Sequence, residues 1–399
     1  MLGSWCSSSR APCLGAATPA RGAARWRCRA APLPRTAGEV AAWAAGEFRA
    51  ETAKPDAAVS LARAALLLDL EEAAAARPDG DRTSATASTW SLERLDALAA
   101  EVADLLATRD PQALAPPPPR GGGGGAAPRA VRGARFPAAV LSALDAVLAR
   151  HGYAACARHG APLDSQLSSV LEGGRGSCAA LPILHLEVCA RVGLAMGFKV
   201  LDGGRYTLVW PRDETSGGGS LLSAGGEACL VDPYGGGALI TVKEAAELFA
   251  VSESELLAGS TRRELLAALL AELQRAHWCA AVGCSATPLL AVPLTAATAV
   301  GQRVRQLQGG SIERAVAAAA KRVALLPRGA VALEAQLQLG LLHYFSGCYE
   351  ESWIELGAWI EAQRAAGQQP EDGELAHALL LFERLQLELQ LAQTVDAAA

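Results

Sequence analysis

The stretch DSQLSSVLEGGRGSCAALPILHLEVCARVGL, Asp164–Leu194, decides how this chain is read. Gly173, Gly174 and Gly176 interrupt regular structure, and the apolar run after them predicts a helix from about Cys178 to Val192. Further on, Arg205–Trp210 and Ala228–Val231 are short β-prone runs separated by a Gly/Ser-rich loop, the pattern of a hairpin. The segment CLVDPYGGGALIT, Cys229–Thr241, closes the second run on a turn, and Val242–Leu257 reads as helix again. The expected class is α+β, mostly α: helices packed on one small antiparallel sheet.

Outside this block the chain is helical in character. Aromatics make up 5% of its 399 residues and Ala and Leu supply most of the apolar content, which favours helices over sheet. Residues 39–110 read as three helices: one from Val40, Trp43 and Phe48, one on Val59, Ala62, Leu66 and Leu70, and one on Leu92, Leu95, Leu98, Val102 and Leu105. Pro55-Asp56 and Ser91 are the expected helix starts. Ala138–His151 has helical spacing at Val140, Leu144 and Val147. Between these lies APPPPRGGGGGAAPRAVRGAR, residues 115–135, where prolines stiffen and glycines then loosen a segment with no apolar face; a disordered, exposed linker is expected. Its glycines lack the Lys-Ser/Thr partner of a phosphate-binding loop.

Charge separates the first 38 residues from the rest. They carry Arg10, Arg21, Arg25, Arg27, Arg29 and Arg35 with no acid, the composition of an organelle transit peptide; a chloroplast address is expected, with a mitochondrial one as the alternative. Beyond them, 30 basic against 41 acidic residues leave a net charge near −11, which disfavours nucleic acid as a partner. No membrane segment is read, because Pro288 and Pro293 break the charge-poor run Trp278–Gln302. Ten cysteines in a chain this long are too few for a disulfide scaffold, and Cys156, Cys189, Cys229 and Cys348 fit as small core residues. The groups His277/Cys279/Cys284 and His151/Cys156/His159 lack the paired spacing of a structural zinc site, so no metal and no cofactor are expected.

The turn, the helix and the VDPY strand end together resemble the SirB group of transglutaminase-like proteins. That resemblance implies a nucleophile at the helix start, where Cys178 stands, and an orienting acid on the later strand, where Asp232 stands. It also implies a Gly-His pair opening the strand after the helix. Here Gly204-Arg205-Tyr206 occupies that place, and a guanidinium cannot serve as base. His185 lies seven residues beyond Cys178, about 10 Å along the helix. Arg175, Arg205, Tyr206 and Tyr234 are the expected cleft residues around this degenerate catalytic pair, with Arg205 replacing the His and pairing with Asp232. Residues 39–258 would form this domain.

Residues 259–395 are expected to be a helical tail. Leu339–Ala362, LGLLHYFSGCYEESWIELGAWIEA, resembles a tetratricopeptide repeat, with Leu339-Gly340 and Tyr344 on the first helix, Gly347 at the turn and Ser352 at the usual small position. Such repeats stack against neighbours, so a single clear unit is expected to complete its core against the preceding domain and not to act as a free peptide-binding solenoid. The expected function is a non-enzymatic scaffold or regulator with a protein partner, the oligomeric state open. The competing expectation is a thiol-dependent amide hydrolase or acyltransferase using Cys178 with a recruited His, His159 being the nearest outside the helix.

Overall fold

The computed structural model describes residues 36–76, 84–111, 136–156, 162–212, 222–224, 227–283, 289, 310–369 and 373–398. The expected linker at 115–135 and His159 lie outside these residues, as does the expected leader up to residue 35. The first helix, α1 (Ala37–Thr52), is closed at its start by Thr36 and Glu39, which satisfy each other's backbone N–H groups. This cap falls within the last residues of the expected leader.

The other two helices expected over 39–110 follow in the order the periodicity gave, with different starts. Pro55-Asp56 opens only a short 3-10 turn, Asp56–Ala58, and α2 begins at Leu61 (Leu61–Ala76). Ser91 is not a start: it is fully buried within α3 (Ser84–Arg109). Next come α4 (Phe136–Arg150), β1 (Ala154–Ala155), α5 (Leu167–Gly173), β2 (Arg175–Gly176) and α6 (Ala180–Val192). The helix expected from about Cys178 thus starts two residues later. β1 and β2 pair in parallel, Ala155 opposite Gly176, which fixes the turn just before Cys178.

The sheet is larger than the expected hairpin. Its strands are β3 (Met196–Leu201), β4 (Tyr206–Pro211), β5 (Leu222–Ala224), β6 (Glu227–Asp232) and β7 (Ala238–Thr241), all antiparallel. β4 and β6 are the two expected runs. β6 pairs with β7 along one edge and with β4 and β5 along the other, and β3 continues the sheet beyond β4. Alternation gives it two covered faces: Phe198, Val209 and Val231 join the main helical core, while Leu208, Trp210 and Leu230 pack against α7 (Val242–Phe249) and α8 (Glu253–Leu257). The single helix expected at 242–257 is two, because Ala250 turns left-handed (φ 52°) and Ser252 then caps α8 by accepting from the Glu255 N–H.

α9 (Arg262–Val282) is buried along most of its length. Leu265, Leu266, Leu269, Leu270 and Leu273 belong to the core of α1–α6, whereas Trp278, Ala281 and Val282 belong to the core of the C-terminal helices. The expected division at 258 therefore precedes a helix that completes the first core. The tail is α10 (Gly310–Leu325), α11 (Ala330–Ser346), α12 (Tyr349–Ala365) and α13 (Gly373–Ala398). Gly347, at φ 86°, ends α11 as expected.

Helices α11 and α12 approach closely at Gly340. Ser352, fully buried, donates its hydroxyl to the Gly340 carbonyl at 2.7 Å, and a Cβ on Gly340 would stand 2.8 Å from Leu356. Alanine elsewhere in a helix interior gains about 1 kcal/mol over glycine, but overpacking a core costs about 1–3 kcal/mol. Gly340→Ala should therefore destabilise the protein, measured as a lowered denaturation midpoint with unchanged urea dependence; a raised midpoint would show that Leu356 yields freely.

Candidate functional site

Cys178 sits between β2 and α6, with Ser177 held by its N–H to the Asp164 carbonyl at 2.9 Å. Its thiol is buried and points at a carboxylate: Sγ donates to Glu272 Oε1 at 2.7 Å. Glu272 reaches this point from α9, and its other oxygen accepts from the Ser165 hydroxyl at 3.2 Å. Burial pushes the Glu272 carboxyl above the usual carboxylate range, and its bonds from Cys178, Ser177 and Ser165 only partly offset this. For Cys178 burial comes first and the neighbouring Glu272 charge second, and together they push the thiol far above a free thiol's value. The Arg275 guanidinium opposes both shifts to a smaller degree. The acidity that a helix start lends a cysteine is outweighed here by burial and the Glu272 charge.

Asp232 ends β6 and serves its own turn, accepting from the Tyr234 N–H at 2.9 Å. Its other oxygen takes the Tyr206 hydroxyl, and this replaces the expected pairing with Arg205. Arg205 lies outside the sheet in the turn after Asp202–Gly204, is 69% exposed, and has the Asp202 carboxylate of its own turn 4.0 Å away. The reason is the strand period. Val209 pairs with Val231, so the antiparallel register sets Leu208 opposite Asp232 and places Tyr206 on the diagonal of the same face, while Arg205 has the wrong parity.

Two phenols join the ends of the site. Burial first, and then its bond to Asp232, push the Tyr206 hydroxyl well above the ordinary phenol range, and the charges of Asp232 and Cys178 add to this. Tyr234 donates to the Cys156 carbonyl at 3.1 Å and stands 4.0 Å from the Cys156 sulfur; burial chiefly raises its hydroxyl, with Cys156, Cys178 and Glu272 contributing. Cys156 is pushed up too, by burial and then by Asp164. Tyr206 and the Tyr234 N–H bond Asp232 directly, and the charge of Cys178 acts on both phenols. Arg205 stays at the surface, and Arg175 is exposed on β2.

Three of the described histidines are engaged elsewhere. His185, buried on α6, bonds the Leu181 carbonyl through Nδ1 at 3.1 Å and holds Nε2 3.8 Å from Asp145. His151 bonds Glu101 at 2.8 Å, and His277 bonds Glu72 at 2.7 Å. Among the described residues no group of three or more His, Cys, Asp or Glu could hold a metal ion. No helix among them is long and apolar enough to cross a membrane.

Residues 89–271 match the family model described as the transglutaminase-like superfamily. The chain carries a transglutaminase-like domain. No curated protein matches it, and neither does any solved structure. The match ends one residue before Glu272, and α1 and α2 precede it. Sequence reasoning about the transglutaminase-like domain missed Glu272, Ser165 and Ser177. One signal was there: Leu265–Leu273 is apolar throughout except for Glu272, and a lone carboxylate in a helix buried on all sides needs donors inside.

Asp69, on α2, steadies the approach to the site of the transglutaminase-like domain. It accepts from the Ser168 N–H at 2.7 Å in the first turn of α5, while its Oδ1 is buried without a hydrogen-bond partner. Burial pushes this carboxyl up to about 7. The folded protein therefore keeps a proton that the unfolded chain gives up near pH 4, so Asp69 makes stability fall as pH rises from about 4 to about 7. Asp69→Asn, which retains the acceptor, should flatten that fall, so that the variant gains on the wild type by on the order of 3 kcal/mol between pH 4 and 7.5. Urea melts at both pH values measure it, and a pH-independent difference would show that Asp69 ionises normally.

Proposed function

We propose that this chain is a non-enzymatic interaction protein: a scaffold or regulator built on a degenerate transglutaminase-like domain of the SirB type, continued by a tetratricopeptide-like helical tail that meets a protein partner. The observation that carries this reading is the Cys178–Glu272 contact. A cysteine nucleophile works as a thiolate beside a cationic or neutral base, whereas this thiol is buried against a carboxylate that favours its protonated form. Among the described residues Asp232 bonds no imidazole; it is satisfied by Tyr206 and by its own turn. The arginine-rich, acid-free leader supports a plastid address, and the acidic charge of the remainder supports a protein partner over nucleic acid.

The competing reading, a thiol-dependent amide hydrolase or acyltransferase, rests on the same contact seen from its other end. Glu272 is within proton-transfer reach of Cys178 and has a raised carboxyl, so it is the base such chemistry would use. Transfer would leave a thiolate in a buried site with an acidic surround and a net loss of solvation, and the upward shift of Cys178 counts against it.

Alkylation of the native protein separates the two. Cys178 should react with iodoacetamide at pH 7.5 far more slowly than a free thiol, with a rate that still rises above pH 9. Glu272→Gln, which removes the charge, should lower the thiol's titration point. Cys178→Ala should keep partner binding in cells with the fold intact. A thiol titrating below pH 7, or a folded Cys178→Ala protein that has lost its function, would establish the enzyme reading instead.

A further inference from the structure

The last helix, α13, is apolar on two sides. Leu375, Ala378, Leu381 and Leu385 are buried against the tail core. Leu380, Leu387 and Leu391 are 55, 61 and 62% exposed, and their spacing of seven and four residues sets them within about 40° of one another on the outward side. A single surface leucine needs no explanation, but three in a line along one helix form a patch.

The charges beside the line say what fits it. Arg384 and Glu388 follow Leu380 at successive steps of four residues, and both stand on one flank of the stripe; Glu383 and Gln390 stand on the other. If this helix meets a second copy of itself in antiparallel fashion, like flanks face each other, and a two-fold axis near residues 385–386 sets Leu380 opposite Leu391. The same axis sets Arg384 beside Glu388 of the second copy, and symmetry repeats that pair. Glu383 falls beside Gln390 of the second copy. In parallel register Arg384 would instead face Glu383 of the second copy and Glu388 would face Gln390, so both arrangements pair the arginine; opposed helix dipoles favour the antiparallel one, and exchanging Arg384 with Glu388 tells the two apart.

We infer that α13 is a self-association face, through which two copies of the chain pair antiparallel along Leu380, Leu387 and Leu391 and lock register with two Arg384–Glu388 pairs. This stands apart from the chemistry at Cys178. Three leucines a side make a small interface, so the dimer is concentration-dependent.

Sedimentation equilibrium of the full chain from about 1 to 100 µM should show the mass rising from one chain toward two. Leu387→Glu should weaken the dimer about tenfold or more with helical circular dichroism unchanged, and Leu391→Lys, at a second exposed position, should do the same. Arg384→Glu should also weaken it, and Arg384→Glu combined with Glu388→Arg should restore it. A chain that stays monomeric throughout, a dimer indifferent to both leucine variants, or a charge exchange that fails to restore association would each overturn the inference.

Discussion

A carboxylate carried into a protein core must find donors there, and much of this structure follows from how Glu272 finds them. Its helix is buried along most of its length, so the side chain has no route to water. Ser165 and Cys178 supply the bonds, which joins α9 to the turn preceding α6 across about a hundred residues of sequence. Removing one member of such a set leaves the carboxylate with an unmet desolvation cost of about 1–3 kcal/mol, more if it stays charged. The thiol is therefore tied into the architecture before any question of chemistry arises.

Polar groups elsewhere repeat this logic on a smaller scale. Asp69 gives up one oxygen to the start of α5 and strands the other, and Asp232 divides its oxygens between a turn and Tyr206. Across the junction with the tail, Glu72 holds His277 and Glu71 holds Lys321 at 2.6 Å. At Gly237 the constraint is steric: its φ of 84° admits few side chains, and a Cβ there would run into the Asp145 carboxylate. The triple-glycine turn after Tyr234 is thus shaped by what lies beneath it.

How much of this the residues disclosed depended on whether the cause was local. Helical period located α1 to α4 and α6, and β-prone composition located β4 and β6, because each signal is complete within one element. Gly347 was legible as a turn for the same reason. Ser91 misled, since a serine facing inward within a helix looks like a cap when only the chain is seen. β3, β5 and β7 were invisible because their support is the neighbouring strand. The candidate site divided likewise: Cys178 and Asp232 were singled out by pattern, whereas Arg205 was given Tyr206's role until the register fixed which residue faces Asp232. Glu272 could be placed beside Cys178 only by tertiary packing.

The sharing of α9 between two cores has a consequence for how the protein is made. A growing chain emerges from its N-terminus, and domains generally fold as units once complete. Helices α1–α6 and the sheet can all have left the ribosome while the leucines of 265–273, which close their core, are still in the exit tunnel. Until then the apolar faces awaiting α9 lack their cover, which is the stage at which such a chain is most prone to aggregate. Once α9 emerges, its first half seals one core as its second half begins the next, so the two regions are coupled in assembly as well as in space.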